Sequence, residues 1–371
     1  MEFVVRKNDL LRELQLFQGI VERKNTIPIL ANVLIDAKDG KLHFLATDLE
    51  VALRSECDAQ SISKPGALTL PAKKLYEIVK SLADTDIRVT EDKNGVKVAA
   101  DRFESRLQTL PKEDFPALPA GGDKGAVTLS RSALKEMVAK TQFAITGEDT
   151  RYFLNGALFV LRGDAMSLVA TDGHRLALVS AARDGKAKKD GEESKPILPK
   201  KTLSELARLL SEGDGDVAFE HGENHLFFTV GGRTLISRMI DGQFPAYERV
   251  IPKGNDKRIE FERDRLTNAV KRVALLSNER SRAVKFQIDK GKVDVSSSSP
   301  ELGEARETLP VDYSGQAMQI CFNAQYVLDF LSAVTTDSVS LEVKDEVSQA
   351  VMAPIGAEGY DYTYVIMPMR V

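Results

Sequence analysis

"ATDGHRLAL", residues 170–178, sets an aspartate, a histidine and an arginine within four positions at what reads as a strand end. "ATDLEVAL" at 46–53 repeats the frame, with Glu50 and Val51 where the later copy has His174 and Arg175. A reactive centre is not half-copied without its reactive residues, so the frame points first to a repeated architecture. Other features recur at nearly the same offset. Upstream of each lies a hairpin signal, Asp39-Gly40 in one copy and Gly163-Asp164 in the other. Downstream, "LPAKKLYEIVKSL" at 70–82 matches "LPKKTLSELARLL" at 198–210, and "SRLQTLPKEDFPALP" at 105–119 answers "SRMIDGQFPAYERVIP" at 237–252. Four matched segments in one order make the first two thirds of the chain a duplication.

The last third carries a fainter third copy. Its hairpin signal is Lys290-Gly291, its frame has decayed to "SSSSPE" at 296–301, and "FNAQYVLDFLSAV" at 322–334 keeps the helix pattern. Asn323 stands where the second copy has Pro199, and both residues suit a helix start. Each copy also opens with an amphipathic helix. Asn8 is the expected cap of the first, whose stripe is Leu10, Leu11, Leu14 and Phe17; Leu134, Met137 and Val138 mark the second, and Leu266, Val270 and Val273 the third. Each unit therefore reads as helix, hairpin strands, helix and further strands. The expected fold is α+β, with three similar domains at 1–122, 123–253 and 254–371, each holding two helices on antiparallel sheets. Units this long are not solenoid repeats. Like domains meeting through like edges instead close into a ring or grow into a filament.

Hydrophobic residues make up 43% and charged residues 29%, which suits globular domains with buried cores. No apolar run reaches transmembrane length, and "MEFVVRKNDLL" lacks a signal peptide's apolar core. Cys57 and Cys321 are far apart and match no metal or redox spacing. The expected address is a reducing cytoplasm, with no metal or cofactor. A net charge of −4 argues against wholesale coating by nucleic acid but conceals a local pattern. The helices carry bases at recurring positions: Arg6, Lys7, Arg12 and Arg23 in the first copy, Arg131, Lys135 and Lys140 in the second, and Arg263, Arg265, Lys271 and Arg272 in the third. Lys73, Lys74, Lys80, Lys200, Lys201 and Arg208 extend the pattern to the second helices. A basic surface without a recognition helix implies phosphate contacts, which carry no sequence information. Such contacts alone give dissociation constants of roughly 10⁻⁴ to 10⁻⁶ M. A closed ring would hold the protein on DNA by topology while weak contacts let it slide.

The motifs "RYFLNGALF" at 151–159, "ATDGHRLA" at 170–177, "DGQFPAYERVIPK" at 241–253, "LSNE" at 276–279 and "VIMPMRV" at 365–371 are specific. Over essentially its whole length the chain resembles the bacterial DNA polymerase III beta subunit family, the beta sliding clamps. The resemblance implies a head-to-tail homodimeric ring of six like domains around double-stranded DNA. It also implies a pocket for short peptide segments of the replicative polymerase, the clamp loader and repair proteins. By the matching residues that pocket includes Leu154, Thr171, Gly173, His174, Arg175 and Leu176 from the central domain. Pro245, Arg249 and Val250 come from the following loop, Asn323 and Tyr326 from the outer wall, and Val365, Met367, Pro368, Met369 and Arg370 from the tail. Arg175 and Arg370 are expected at the rim, where they can hold a peptide carboxylate or carbonyl. Arg23, Lys73, Lys135, Arg151, Tyr152 and Lys200 are the expected DNA contacts, and Leu107 with Leu275 and Leu276 the dimer joint. Three positions depart from the family pattern: Ser105 and Phe153 where aromatic and tyrosine residues are usual, and Val371 where leucine is usual. The competing reading is an enzyme, a metal-dependent phosphoesterase or nuclease using Asp172 and His174.

Overall fold

A computed structural model describes residues 1–21, 26–121, 126–147, 149–183, 194–212 and 215–370. Arg23 and Val371 therefore lie outside the described residues. Among those described are six α-helices: α1 (Lys7–Phe17), α2 (Ala72–Ser81), α3 (Arg131–Thr141), α4 (Lys200–Leu209), α5 (Arg263–Ala274) and α6 (Ala324–Ala333). The sequence predicts two helices per repeat, and each repeat has two. The apolar stripes face inward as the period requires: Leu10, Leu14 and Phe17 of α1, Leu75 and Val79 of α2, and Val327, Phe330 and Leu331 of α6 are all buried. Asn323 caps α6 through a side-chain bond from the Gln325 amide at 2.9 Å. Asn8 does not cap α1. That helix starts two residues earlier, after Arg6, and the Asn8 amide instead donates to Asp84 at 3.0 Å.

Among the described residues the strands form four antiparallel sheets. One eight-stranded sheet joins 66–71, 32–38, 41–47 and 51–58 of the first repeat to 233–238, 225–230, 217–221 and 127–129 of the second. The other joins 197–199, 156–161, 165–171 and 175–182 of the second repeat to 361–366, 350–355, 338–343 and 257–262 of the third. The two sheets have the same strand order, and both joints pair equivalent edge strands: Val51–Asp58 with Arg233–Arg238, and Arg175–Ala182 with Asp361–Ile366. The second repeat thus contributes half of its strands to each sheet. Accordingly the chain forms two compact units, one of residues 1–131 and 201–239, the other of 132–200 and 240–371. The remaining strands of the first repeat make a five-stranded sheet that ends at Phe103–Leu107, and those of the third a four-stranded sheet that ends at Gly303–Pro310.

The hairpin at Asp39-Gly40 is a two-residue turn with φ of +50° and +77° and Lys38 opposite Lys41, the geometry that favours Asp-Gly. Lys290-Gly291 likewise connects Asp289 to Lys292. The exposed basic pattern is thinner than composition suggests. Lys140 is 1% exposed, paired with Glu136, donating to the Ala333 carbonyl at 3.1 Å and lying over the Tyr360 ring. It belongs to the core, because its position on α3 faces the end of α6 and Tyr360 and not water. Lys201 pairs with Asp48, Arg208 with Glu205 and Arg272 with Glu307.

Candidate functional site

The repeated Thr-Asp frame is a turn. In the second repeat the Thr171 hydroxyl donates to the Arg175 carbonyl at 2.7 Å and accepts from the Gly173 amide at 3.1 Å. Asp172 accepts from the amides of His174 and Arg175 at 2.9 and 3.0 Å. The first repeat makes the same four bonds: Thr47 to the Val51 carbonyl at 3.0 Å and from the Leu49 amide at 2.9 Å, Asp48 from Glu50 and Val51 at 2.9 and 2.7 Å. Such short polar side chains compete for backbone groups wherever a strand must reverse. The third position is left-handed in both turns, with φ +88° at Gly173 and +80° at Leu49. In the third repeat one bond survives, from the Glu301 amide to the Ser299 hydroxyl at 3.4 Å, and Pro300 stands where the aspartate was. Shared turn chemistry explains why the frame was copied without its histidine and arginine.

Asp172 is therefore committed to the turn. Its second oxygen accepts from Arg175 Nε at 3.0 Å, and among the described residues no group of His, Cys, Asp and Glu is arranged to hold a metal. The geometry gives the enzyme reading no support.

In the unit of residues 132–200 and 240–371, Leu154, Leu176 and Val365 meet in one buried cluster with Phe244 and Tyr247. Leu154 arrives on a 3-10 turn, Leu176 on the strand after the hairpin, and Val365 on the last strand, where it pairs with Leu176. Phe153, where the family's tyrosine is usual, packs against this cluster, as do Ile251 and Val351. Several of the other expected pocket residues are open to solvent. Gly173, His174, Pro245 and Arg249 are exposed, and Val250 is 38% exposed. His174 stacks on Tyr326 with ring centres 6.5 Å apart. The tail continues the sheet: the Met367 amide donates to the His174 carbonyl at 2.9 Å and the Met369 amide to the Cys321 carbonyl at 2.8 Å. Met367, Pro368 and Met369 are half-buried and Arg370 is exposed. Phe244, Tyr247, Ile251 and Val351 join this cluster without being among the residues that the resemblance implies. The recurrence of "FPA" at 115–117 and 244–246 is the signal that could have found Phe244 and its neighbour.

Arg175 is not the rim group that the sequence suggests. Its side chain is 9% exposed, and its guanidinium donates to Asp172, to Asp329 and, at 2.7 Å, to the Phe143 carbonyl. It also lies over the Tyr326 ring at 4.3 Å and the Phe143 ring at 5.4 Å. Burial works against its charge, but Tyr364, Asp329 and Asp172 outweigh that and hold its pKa above the ordinary arginine value. Each of its three nitrogens is engaged within the protein, so it anchors the hairpin.

Of the expected DNA contacts, Arg151 and Tyr152 lie next to this cluster, Arg151 beside Gly173 and Tyr152 against Phe153. Lys135 and Lys200 are exposed on α3 and α4, and Lys73 is half-buried on α2. Tyr152 is 57% exposed beside Gly242. Arg151 is exposed but forks onto Asp149 at 3.0 and 2.7 Å, and bonds from its side chain and backbone hold that carboxyl down at about 2. Of the joint residues, Leu275 is 76% exposed, while Leu107 and Leu276 are half-buried. Phe103, 39% exposed on the same strand face as Ser105 and Leu107, supplies an aromatic that Ser105 does not.

The chain is thus built of three similar sheet-and-helix domains joined edge to edge, with a buried apolar cluster beside its methionine-bearing tail. The family's N-terminal, central and C-terminal domain models, each described as a domain of the DNA polymerase III beta subunit, match residues 1–119, 128–246 and 248–370. The chain is 40% identical to the beta sliding clamp of Pseudomonas putida and 36% identical to that of Escherichia coli, covering 100% of both chains in each case. It superposes with a TM-score of 0.94, at 38% identity and full coverage of both chains, on the clamp of Pseudomonas aeruginosa bound to griselimycin. For the Caulobacter crescentus polymerase III beta structure the TM-score is 0.91, at 36% identity and full coverage of both chains. The chain belongs to the DNA polymerase III beta subunit family, the beta sliding clamps. Its function is that of a DNA sliding clamp, a processivity factor without catalysis of its own.

Proposed function

We propose that two copies close head to tail into a ring of six domains that encircles duplex DNA. The observation that carries this is the pair of unused edges. Both joints within the chain are antiparallel pairings of equivalent strands, and among the described residues Phe103–Leu107 and Gly303–Pro310 are the equivalents left without a partner. An unpaired edge is a template for another strand. Carrying the internal register across sets exposed Leu302 opposite the partner's Leu107, with Leu275 and Leu276 beside the joint. The domains run over 1–122, 123–253 and 254–371, and Arg23, Lys73, Lys135, Arg151, Tyr152 and Lys200 serve as the DNA contacts. Sequence-independent phosphate contact leaves the ring free to slide.

The floor of Leu154, Leu176 and Val365, walled by the hairpin, Val250, Tyr326 and the tail, takes short apolar peptide segments. Through it the ring tethers the replicative polymerase, DNA polymerase III, in the cytoplasm and exchanges it for the clamp loader and repair proteins. Retention on circular DNA after loading, and loss when the circle is cut, tests encirclement. Equal retention on linear DNA would refute it.

A further inference from the structure

The two Thr-Asp hairpins share their turn bonds but differ in how they are fastened to the next repeat. In the first, Asp48 pairs with Lys201 of α4. In the second, the helix supplies the acid: Asp329 of α6 grips Arg175, which Asp172 holds from the hairpin side. The charge order is inverted. Val51 occupies the first hairpin's equivalent of Arg175, and Glu205, sixth residue of α4 as Asp329 is of α6, pairs with Arg208 of its own helix. Asp329 is itself fixed, its other oxygen accepting from Gln325 Nε2 at 2.7 Å. One turn earlier on α6 stands Tyr326, whose ring covers the Arg175 guanidinium on one side and stacks with His174. The Tyr326 carbonyl accepts from Tyr364 at 2.9 Å, which joins the same helix turn to the last strand.

We propose that Asp329 is a positioning residue for the peptide-accepting surface. Through Arg175 it locks the hairpin onto α6, so that His174, Tyr326 and the Met367 amide hold one geometry before a ligand arrives. The inference rests on the peptide-site reading and assigns Asp329 no contact with the ligand. A surface fixed in advance binds more tightly because less ordering is left to the binding step. Removing the aspartate leaves a buried guanidinium with one carboxylate, and the hairpin gains freedom.

The test titrates a labelled polymerase-tail peptide against the full-length dimer and its variants. Asp329→Leu is expected to weaken binding about tenfold, mainly through faster dissociation, and the isosteric Asp329→Asn about threefold. Asp329→Glu, which keeps the charge, should recover most of the affinity. In an Arg175→Met background, Asp329→Asn should add less than twofold, because the aspartate acts through the arginine. A general loss of stability would not give that dependence or the recovery by glutamate. Val250→Asp, at an exposed pocket position, is the control for the site itself. Should it abolish binding while every Asp329 variant stays within twofold of wild type, the positioning role is overturned and the site stands. Should it leave affinity unchanged, the site reading fails and the inference with it. Equal losses from Asp329→Asn with and without Arg175 would also overturn the role.

Discussion

The buried ion pair between Glu13 of α1 and Arg233 fastens the first repeat to the second, and its removal has a calculable cost. Glu13 and Arg233 are 3% and 6% exposed, and the guanidinium forks onto the carboxylate, Nε to Oε2 at 2.9 Å with Nη2 on Oε1. Truncating either partner leaves the other charge in a dry site, which costs about 3–5 kcal/mol. For a unit of this size that lowers the melting midpoint by about 10 °C. Replacing both by apolar residues, Glu13→Met with Arg233→Leu, removes both desolvation penalties. The double variant should lie within about 2 kcal/mol of wild type, giving a coupling energy of roughly 3 kcal/mol or more. Urea unfolding of the four proteins of this cycle, followed by circular dichroism and by calorimetry, measures it. Single variants that cost under 1 kcal/mol, or a double variant that costs the sum of the singles, would refute the reasoning.

Deleting residues 367–371 should abolish binding of a polymerase-tail peptide while melting temperature and dimer mass stay unchanged, since Met367 and Met369 contribute edge hydrogen bonds and pocket wall but no core. Leu275→Ala with Leu276→Ala should give folded monomers by sedimentation at low micromolar concentration, and a persisting dimer would place the joint elsewhere. Lys135→Ala should reduce the salt slope of DNA binding by about one without changing sequence preference; a change in preference would show that bases are read. Burial, with Glu13 and Asp9 nearby, pushes the Cys57 thiol up to about 12. Burial likewise raises Glu205, so the folded state binds its proton more tightly and stability is lost as pH rises from the unfolded pKa through the folded one. Glu205→Gln should accordingly raise the melting temperature at pH 7.5 and leave it nearly unchanged at pH 4.

The triplication, the six helices and the hairpin turns were legible in the amino-acid sequence, because each rests on local chemistry. Apolar residues at helical spacing, Asp39-Gly40 with two positive φ angles, and Asn323 at a helix start act within a few residues of themselves. Specific motifs also led to the floor residues Leu154, Leu176 and Val365. What the sequence could not settle was where each repeat ends as a physical body. Strand pairing joins residues far apart in the chain, so the second repeat is divided between two sheets although its sequence is continuous. Charge was misread for the same reason. Lys140 and Arg175 are as basic in the sequence as Lys135, but the third repeat supplies Ala333, Tyr360 and Asp329 around them, and burial with paired donors turns both into anchors. The sequence by itself determined the repeat, its local elements and its family. Only the tertiary structure decided which polar groups remain available to a ligand, because a side chain's partners are set by elements that packing, and not sequence neighbourhood, brings to it.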